Sequence, residues 1–269
     1  MHRLYFFNRN PKMKKHLTTI LLILIGFVTV SSATAQSVTL RLQPKQGETH
    51  TIVTKANMTT KIDYQGQAMN MSQVLESKQS FTVKTVSSQQ CDIESQIEAI
   101  KMSSSLFDME FEIDTEHPEK NDPMSKELAE AIQEVKKPVT ITFDAMGNFV
   151  EDNNDLNQLG NIIIQLPKQE LTVGSKWSSK STQDVDNIKM DVNMEYTVTA
   201  ISKKSVDVSF TGNIDSKDAT GTYNGTASID PQTGMIVKST TKLSASYTIN
   251  EQGLTVPATF TRTITINVR

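Results

Sequence analysis

The chain has 269 residues, with 27 Lys and Arg against 30 Asp and Glu, four histidines and one cysteine. Five of the basic residues and no acidic residue lie within residues 1–35, which leaves 22 basic and 30 acidic side chains in the remainder. Such an acidic remainder without basic blocks disfavours nucleic acids and anionic membrane surfaces as partners, and a single cysteine excludes an internal disulfide.

Residues 1–35 have the pattern of a secretory signal peptide. A basic segment at 13–16 precedes an apolar segment at 17–30, and small residues at 33–35 suit a cleavage site. We therefore expect cleavage between Ala35 and Gln36. Either Met1 or Met13 suits the start of the translated protein. Because glutamine rather than cysteine follows this site, we expect an exported protein that is soluble after cleavage and is not a lipoprotein. An uncleaved anchor is the alternative, although the apolar segment is short for a span of ~20 residues.

Alternating apolar and polar residues predict half-buried β-strands through the first half of the mature chain. These strands cover about 38–42, 50–62, 69–83, 91–99 and 106–113. The fifth strand places four acidic residues on one face, namely Asp108, Glu110, Glu112 and Asp114. This acidic face is either solvated or a docking strip for a basic envelope protein.

The strand pattern then stops, and helical spacing replaces it. Asp122 suits an N-cap and Pro123 a first helical position, and apolar residues including Leu128 and Ile132 recur at helical spacing. We predict an amphipathic helix over 123–137 and a short second helix over 153–165.

Two segments of the chain repeat the same strand pair. Shifting residues 81–100 by 115 positions aligns their apolar pattern with that of 196–214, around a polar turn in each. The turn near Asp144 has a second copy near Asp230, at a smaller shift, because the first half carries the predicted helix as an insertion. The domain 36–269 therefore has two halves, about 38–152 and 166–269, joined by 153–165.

These elements together predict a mainly β fold of the α+β class. We expect an internally duplicated, strongly curved antiparallel sheet or half-barrel of about ten strands. In this prediction the amphipathic helix packs on the concave face of the sheet, where it covers the apolar surface, and a second short helix joins the halves.

A spaced set of residues in the second half resembles a known family. These residues are Leu166-Pro167, Val173-Gly174, Trp177, the strand from Tyr196 to Ile201, and the Asp230–Gly234 turn. They resemble an uncharacterised family of exported bacterial proteins, a domain of unknown function common in Gram-negative envelopes, and we expect the resemblance to cover most of the mature chain, about 38–268. The architecture is also similar to the half-barrels of periplasmic lipoprotein carriers. The resemblance implies a location in the periplasm or on the outer face of a Gram-negative envelope, and it implies no catalytic residues.

The residue inventory offers little for catalysis. Only His50 and His117 remain in the mature chain, and no catalytic or phosphate-binding motif occurs. Cys91 has the strand parity of Ile93, which predicts a buried thiol. We therefore expect no enzyme activity, no metal and no cofactor.

Methionine is the one unusual feature of the composition, with 12 in the chain. Flexible, polarisable methionine fills irregular cores and also lines adaptable apolar sites. The candidate ligand-binding residues are Met58, Met69, Met71, Met190 and Met194, with Leu128 and Ile132 of the predicted helix. The favoured function is binding or carrying an apolar ligand, a lipid or a lipidated protein, on the curved sheet. The alternative is a structural or interaction module that uses the acidic strand.

Overall fold

The computed structural model describes residues 36–64, 66–106, 109–120, 136–150, 163–185, 188–216, 219–251 and 254–269. Residues 36–269 form one compact unit. The described residues form eleven strands: β1 (Thr49–Tyr64), β2 (Gln67–Val86), β3 (Gln90–Leu106), β4 (Met109–Asp114), β5 (Val139–Asp144), β6 (Lys176–Val185), β7 (Ile188–Ile201), β8 (Val206–Asp215), β9 (Ala219–Ile229), β10 (Ile236–Glu251) and β11 (Leu254–Val268).

All eleven strands belong to one antiparallel sheet. Its order is β4-β3-β2-β1-β11-β10-β9-β8-β7-β6, so the first and last strands pair in the middle and join the two halves. β4 pairs with the C-terminal part of β3, whereas β5 pairs with its N-terminal part. The described strand order is open, with β6 at one edge and β4 and β5 at the other.

The alternation of side chains divides the sheet into an apolar face and a polar face. On the apolar face, Ile52, Phe81 and Ile93 are at most 2% exposed. The polar face carries cross-strand ion pairs with N–O distances of 2.6 to 3.0 Å: Lys55–Glu76, Lys78–Glu98, Lys84–Glu94, Lys101–Glu112 and Lys176–Glu195. One face therefore supplies the core, and the other is solvated.

Connecting segments cover the apolar face at one end of the sheet. We call this the near end; it is where the β2–β3, β7–β8 and β9–β10 turns lie. Leu40 and Leu171 are completely buried there, and the backbones of Val38 and Leu171 exchange hydrogen bonds of 2.9 and 2.7 Å. Leu42 donates its N–H to the Ala145 carbonyl at 2.9 Å, which ties the first segment to the β5 turn. The near end is thus a closed core.

Three aromatic rings complete this core toward the β6 edge. Trp177 stacks on Tyr196 with ring centroids 4.9 Å apart, and Tyr196 contacts Phe210 at 5.8 Å. Gly225 lies opposite Phe210 on β9, where a Cβ atom would come within 2.5 Å of the phenyl ring. The same Cβ atom would lie 2.2 Å from the Thr240 carbonyl oxygen, so the close approach of this backbone and of the ring requires glycine there.

The two strand pairs related by the 115-residue shift share backbone hydrogen bonds as well as an apolar pattern. Val83 and Val198 each precede an irregularity in strand register. Their carbonyl oxygens accept hydrogen bonds of 2.8 Å from Gly47 and Gly174, and both glycines have positive φ angles, 83° and 88°. The two strand pairs therefore share their local geometry.

The position of β5 in the sheet explains why the turns near Asp144 and Asp230 are related by a shift smaller than 115 residues. Thr142 of β5 donates a hydrogen bond of 2.7 Å to Asp92 of β3, and Ser228 of β9 donates one of 2.7 Å to Asp207 of β8. β5 thus occupies the position beside β3 that β9 occupies beside β8. The first half therefore contains β4 and the residues between β4 and β5, for which the second half has no counterpart.

The predicted α+β class is wrong. The ordered elements among the described residues are strands, and their only helical element is a short 3-10 turn, Pro118–Lys120. Almost all of the predicted amphipathic helix, with Leu128 and Ile132, and most of the joining helix lie outside the described residues. At the ends of these segments that are described, residues 136–137 and 163–165 are turns or irregular chain. In the described part of the chain, the sheet is one open array whose near-end core is covered by connecting segments.

Within the described ranges, no helix has the length and apolar character needed to cross a bilayer.

Cys91 lies in the near-end core and is a free, buried thiol. Burial, with smaller contributions from Asp92 and Asp144, raises its pKa to about 11. The thiol therefore stays protonated at neutral pH and packs as a small apolar side chain.

Candidate functional site

The apolar face is less completely covered at its other end, which we call the far end. The β1–β2, β6–β7, β8–β9 and β10–β11 hairpins lie there. Val192, Ile214, Ala245 and Ala258 are buried there. Many of its larger apolar and aromatic side chains are only half-buried, and they include Met58, Ile62, Met69, Met71, Met102, Phe111, Met194, Tyr223, Tyr247 and Phe260. The same face therefore changes from a closed core to a partly accessible apolar surface along its strands.

The buried residues form two clusters that follow each other from the near end toward the far end. The large cluster at the near end contains Phe81, Ile93 and Phe143 among its buried residues. A second, smaller cluster toward the far end contains Val192, Ile214, Leu243 and Ala245, with Met194, Tyr223 and Phe260 packed against it. Met194 contacts both clusters.

Four of the predicted ligand-binding methionines lie half-buried on this apolar face. Met58 of β1 is close to Met71 of β2, because Met58 pairs with Gln73 and Met71 pairs with Thr60. Met69 follows on the same face, opposite Ile62. These three side chains form one group at the far end.

The other predicted residues do not join this group. Met194 lies on β7, where its sulfur occupies the space above Gly212 of β8. Met190 precedes it on the same strand with the same parity, but its side chain lies outside the described residues, as do Leu128 and Ile132.

Arg262 is the functional candidate that sequence reasoning missed. It lies on β11 between Phe260 and Ile264, with the parity of the apolar face, and is half-buried. Its neighbours in register are Met58 of β1 and Leu243 of β10. The signal was present in the sequence, because a strand with apolar residues at alternate positions carries an arginine at one of them.

Arg262 is part of a row of polar groups that crosses the apolar face. Tyr223 lies beside Leu243 on β9, and Gln73 and Ser104 continue the row beyond Met58 on β2 and β3. We call Ser104, Gln73, Arg262 and Tyr223 the polar row. It crosses the far-end surface at the level of Met58 and Met194.

The surroundings of the polar row are apolar enough to change its acid–base properties. Burial lowers the pKa of Arg262, partly offset by Tyr223, and burial raises the pKa of Tyr223, partly offset by Arg262. An arginine side chain nevertheless keeps its charge at neutral pH. Gln73 donates a hydrogen bond from Nε2 to the Met102 sulfur, 2.8 Å away. The row therefore places one positive charge and a phenolic O–H within an apolar surface.

The two histidines lie apart from this site. His50 Nε2 is 3.7 Å from Glu48 Oε2 at the near end, and exposed His117 Nδ1 is 3.6 Å from Glu119 Oε1. In the part of the chain that the structure describes, no three His, Cys, Asp or Glu side chains are grouped in a way that could hold a metal ion.

The acidic strand makes internal contacts. Glu112 forms an ion pair of 2.8 Å with Lys101. Asp114 Oδ1 accepts hydrogen bonds from the backbone N–H groups of Glu116 and His117, at 2.9 and 3.1 Å. Burial alone would raise the pKa of Asp114, but these bonds lower it overall. Asp108 lies outside the described residues, and Glu110 is exposed.

Comparisons with known proteins support a family of unknown function. Residues 156–236 match the model of a family of unknown function, DUF6263. This match confirms the resemblance of the second half to an uncharacterised domain. No curated protein matches the sequence.

The comparison with solved structures gives one fold similarity and two weaker matches. A structure described as "Lipid-protein interactions in lipovitellin" has a TM-score of 0.50 and 11% identity, over 84% of this chain and 25% of that chain. The chain thus spans about a quarter of the lipovitellin chain, and the likeness concerns the fold alone. An outer membrane channel from Pseudomonas putida F1 has a TM-score of 0.23 and 8% identity, over 85% of this chain and 98% of that chain. The translocator domain of autotransporter NalP from Neisseria meningitidis has a TM-score of 0.24 and 7% identity, over 94% of this chain and 97% of that chain.

Proposed function

We propose that the protein is a non-enzymatic lipid-binding protein that holds an acyl chain against the far end of its apolar face. One observation carries this proposal: a single apolar face extends over the described strands, and its large side chains are fully buried at the near end but only half-buried around Met58, Met69 and Met71 at the far end. A filled core would be covered along its whole length. The far end instead has apolar side chains that remain partly accessible.

Hydrocarbon is the partner that such a surface favours. Each 100 Å² of apolar surface removed from water contributes about 2.5 kcal/mol. Met58, Met69 and Met71 suit this role, because methionine side chains rearrange readily around ligands of different shape. The fold similarity to lipovitellin, whose structure is described by its lipid–protein interactions, supports the same interpretation.

The proposed location is the Gram-negative envelope, reached through the signal peptide that residues 1–35 predict. A soluble envelope protein with an acyl-binding face would carry either free lipid or the acyl group of a lipidated protein. The acidic strand is a weaker basis for function, because Glu112 and Asp114 already have partners within the chain.

The test is binding of a fluorescent acyl probe to the wild-type protein and to two matched variants of β2. Met71→Glu places a charge on the far-end apolar face, whereas Val74→Glu places one on the polar face, where Val74 is 43% exposed. We expect saturable wild-type binding that Met71→Glu weakens about 10-fold or more, because burying a carboxylate against hydrocarbon is costly.

Val74→Glu should bind as the wild type does, and circular dichroism should show that both variants are folded. Absence of saturable binding to the wild type would contradict the proposed function. Equal effects of the two variants would also contradict it, since the acyl chain would then not lie on the apolar face.

A further inference from the structure

Arg262 is a positive charge on a face that otherwise supplies the core. Arg262 is half-buried, and a charge that has lost part of its hydration is stabilised by a partner of opposite sign. None of the carboxylates in the described residues forms an ion pair with it. The acidic residues of β1 and β2, Asp63 and Glu76, have the parity of the polar face.

The groups that face Arg262 from the neighbouring strands are uncharged at neutral pH. Met58 lies beside it on β1 and Leu243 on β10, followed by Gln73 on β2 and Tyr223 on β9. Together they provide hydrogen-bond donors and apolar contacts around one cation. This arrangement can accept an anion but contains none on the described strands.

We infer that Arg262 binds the carboxylate of a long-chain fatty acid whose hydrocarbon chain runs along the apolar face toward the far end. This inference rests on the proposed function and specifies the ligand. The planar guanidinium matches a carboxylate through two parallel hydrogen bonds. One negative charge neutralises one positive charge, and the Tyr223 hydroxyl adds a donor on the same row.

The dimensions of the face agree with this orientation. From Arg262 to Val256 the strand advances six residues, roughly 20 Å at 3.3 Å per residue. One acyl chain spans about 15 Å in half of a bilayer core. Apart from buried Thr60, the described side chains beside this path are mainly apolar or aromatic, including Phe260, Ala245 and Tyr247. The rings of Phe260 and Tyr247 lie 5.9 Å apart. A long acyl chain therefore fits between the polar row and the hairpins.

The experiment compares a fluorescent fatty acid with its methyl ester on the full chain. Arg262→Gln removes the charge, and Lys242→Gln is the matched control, because exposed Lys242 lies on the polar face of the neighbouring strand. We expect Arg262→Gln to weaken fatty-acid binding about 10- to 100-fold, as for the loss of a charged hydrogen bond. Its affinity for the ester should change less than about two-fold, within the range of ordinary surface substitutions. Lys242→Gln should leave both affinities unchanged.

The outcomes separate this inference from the proposed function. If the wild type binds neither probe, both fail. If it binds both and Arg262→Gln affects them equally or not at all, the carboxylate role of Arg262 is wrong while acyl binding stands. Thermal unfolding of Arg262→Gln provides the folding control, and Arg262→Lys, which keeps the charge, should retain part of the preference for the acid.

Discussion

Replacing Phe81 by alanine is expected to lower the free energy of unfolding by about 3–5 kcal/mol. Phe81 is completely buried in the near-end core, where β2 is paired on both sides. Removing its ring leaves a cavity among side chains held by three strands, so the surroundings can collapse only in part. Urea denaturation followed by circular dichroism measures this change.

Val74→Ala on the same strand is the control for Phe81→Ala. Val74 is 43% exposed on the polar face, so its truncation should change the free energy of unfolding by less than about 0.5 kcal/mol. A loss below about 1 kcal/mol for Phe81→Ala would show that the near end is loosely packed. The contrast between a closed near end and an accessible far end would then be wrong.

Gly234→Ala is expected to cost about 3–4 kcal/mol. Gly234 has a φ of 71°, and a Cβ atom there would lie 2.2 Å from the carbonyl oxygen of Arg41. Only backbone movement can relieve this contact. The movement would disturb the segment that carries Leu40 and Leu42 over the core.

Gly47→Ala separates the conformational cost from the clash. Gly47 has a similar φ of 83°, but no atom lies within 4 Å of a Cβ placed there. This variant should lose only about 1–2 kcal/mol, the cost of a left-handed conformation for an L-residue. Equal losses for the two variants, measured by thermal unfolding, would contradict the close packing of the first segment against the 230–235 turn.

The strands were predictable because their side chains alternate and their turns contain recognisable residues. The alternation of Ile52, Ala56 and Met58 on β1 follows from burial of one face, which a single sequence records directly. The predicted strand at 38–42 was less accurate. There the structure has an isolated pairing of Val38 with Leu171, because this segment crosses over the near end instead of joining the sheet.

The site was harder to predict because it depends on partners distant in sequence. The apolar parity of Met58 and Met71 predicts a buried face, but not that one end of this face remains half-accessible. Arg262 could have been found from its parity on β11. Its importance, however, emerges only when the pairing of β1 with β11 and of β11 with β10 places it among Met58, Leu243 and Tyr223.

Photo-cross-linking with a fatty acid that carries a diazirine along its chain tests the central claim most directly. The claim is that the acyl chain lies on the far end of the apolar face. Mass spectrometry of the digested adduct should place the cross-links at far-end residues of that face, such as Met58, Met71 and Phe260. Excess unlabelled fatty acid should remove them. Cross-links at Val74 on the polar face or at exposed Phe149 near the β5 turn, at the same yield, would contradict the account.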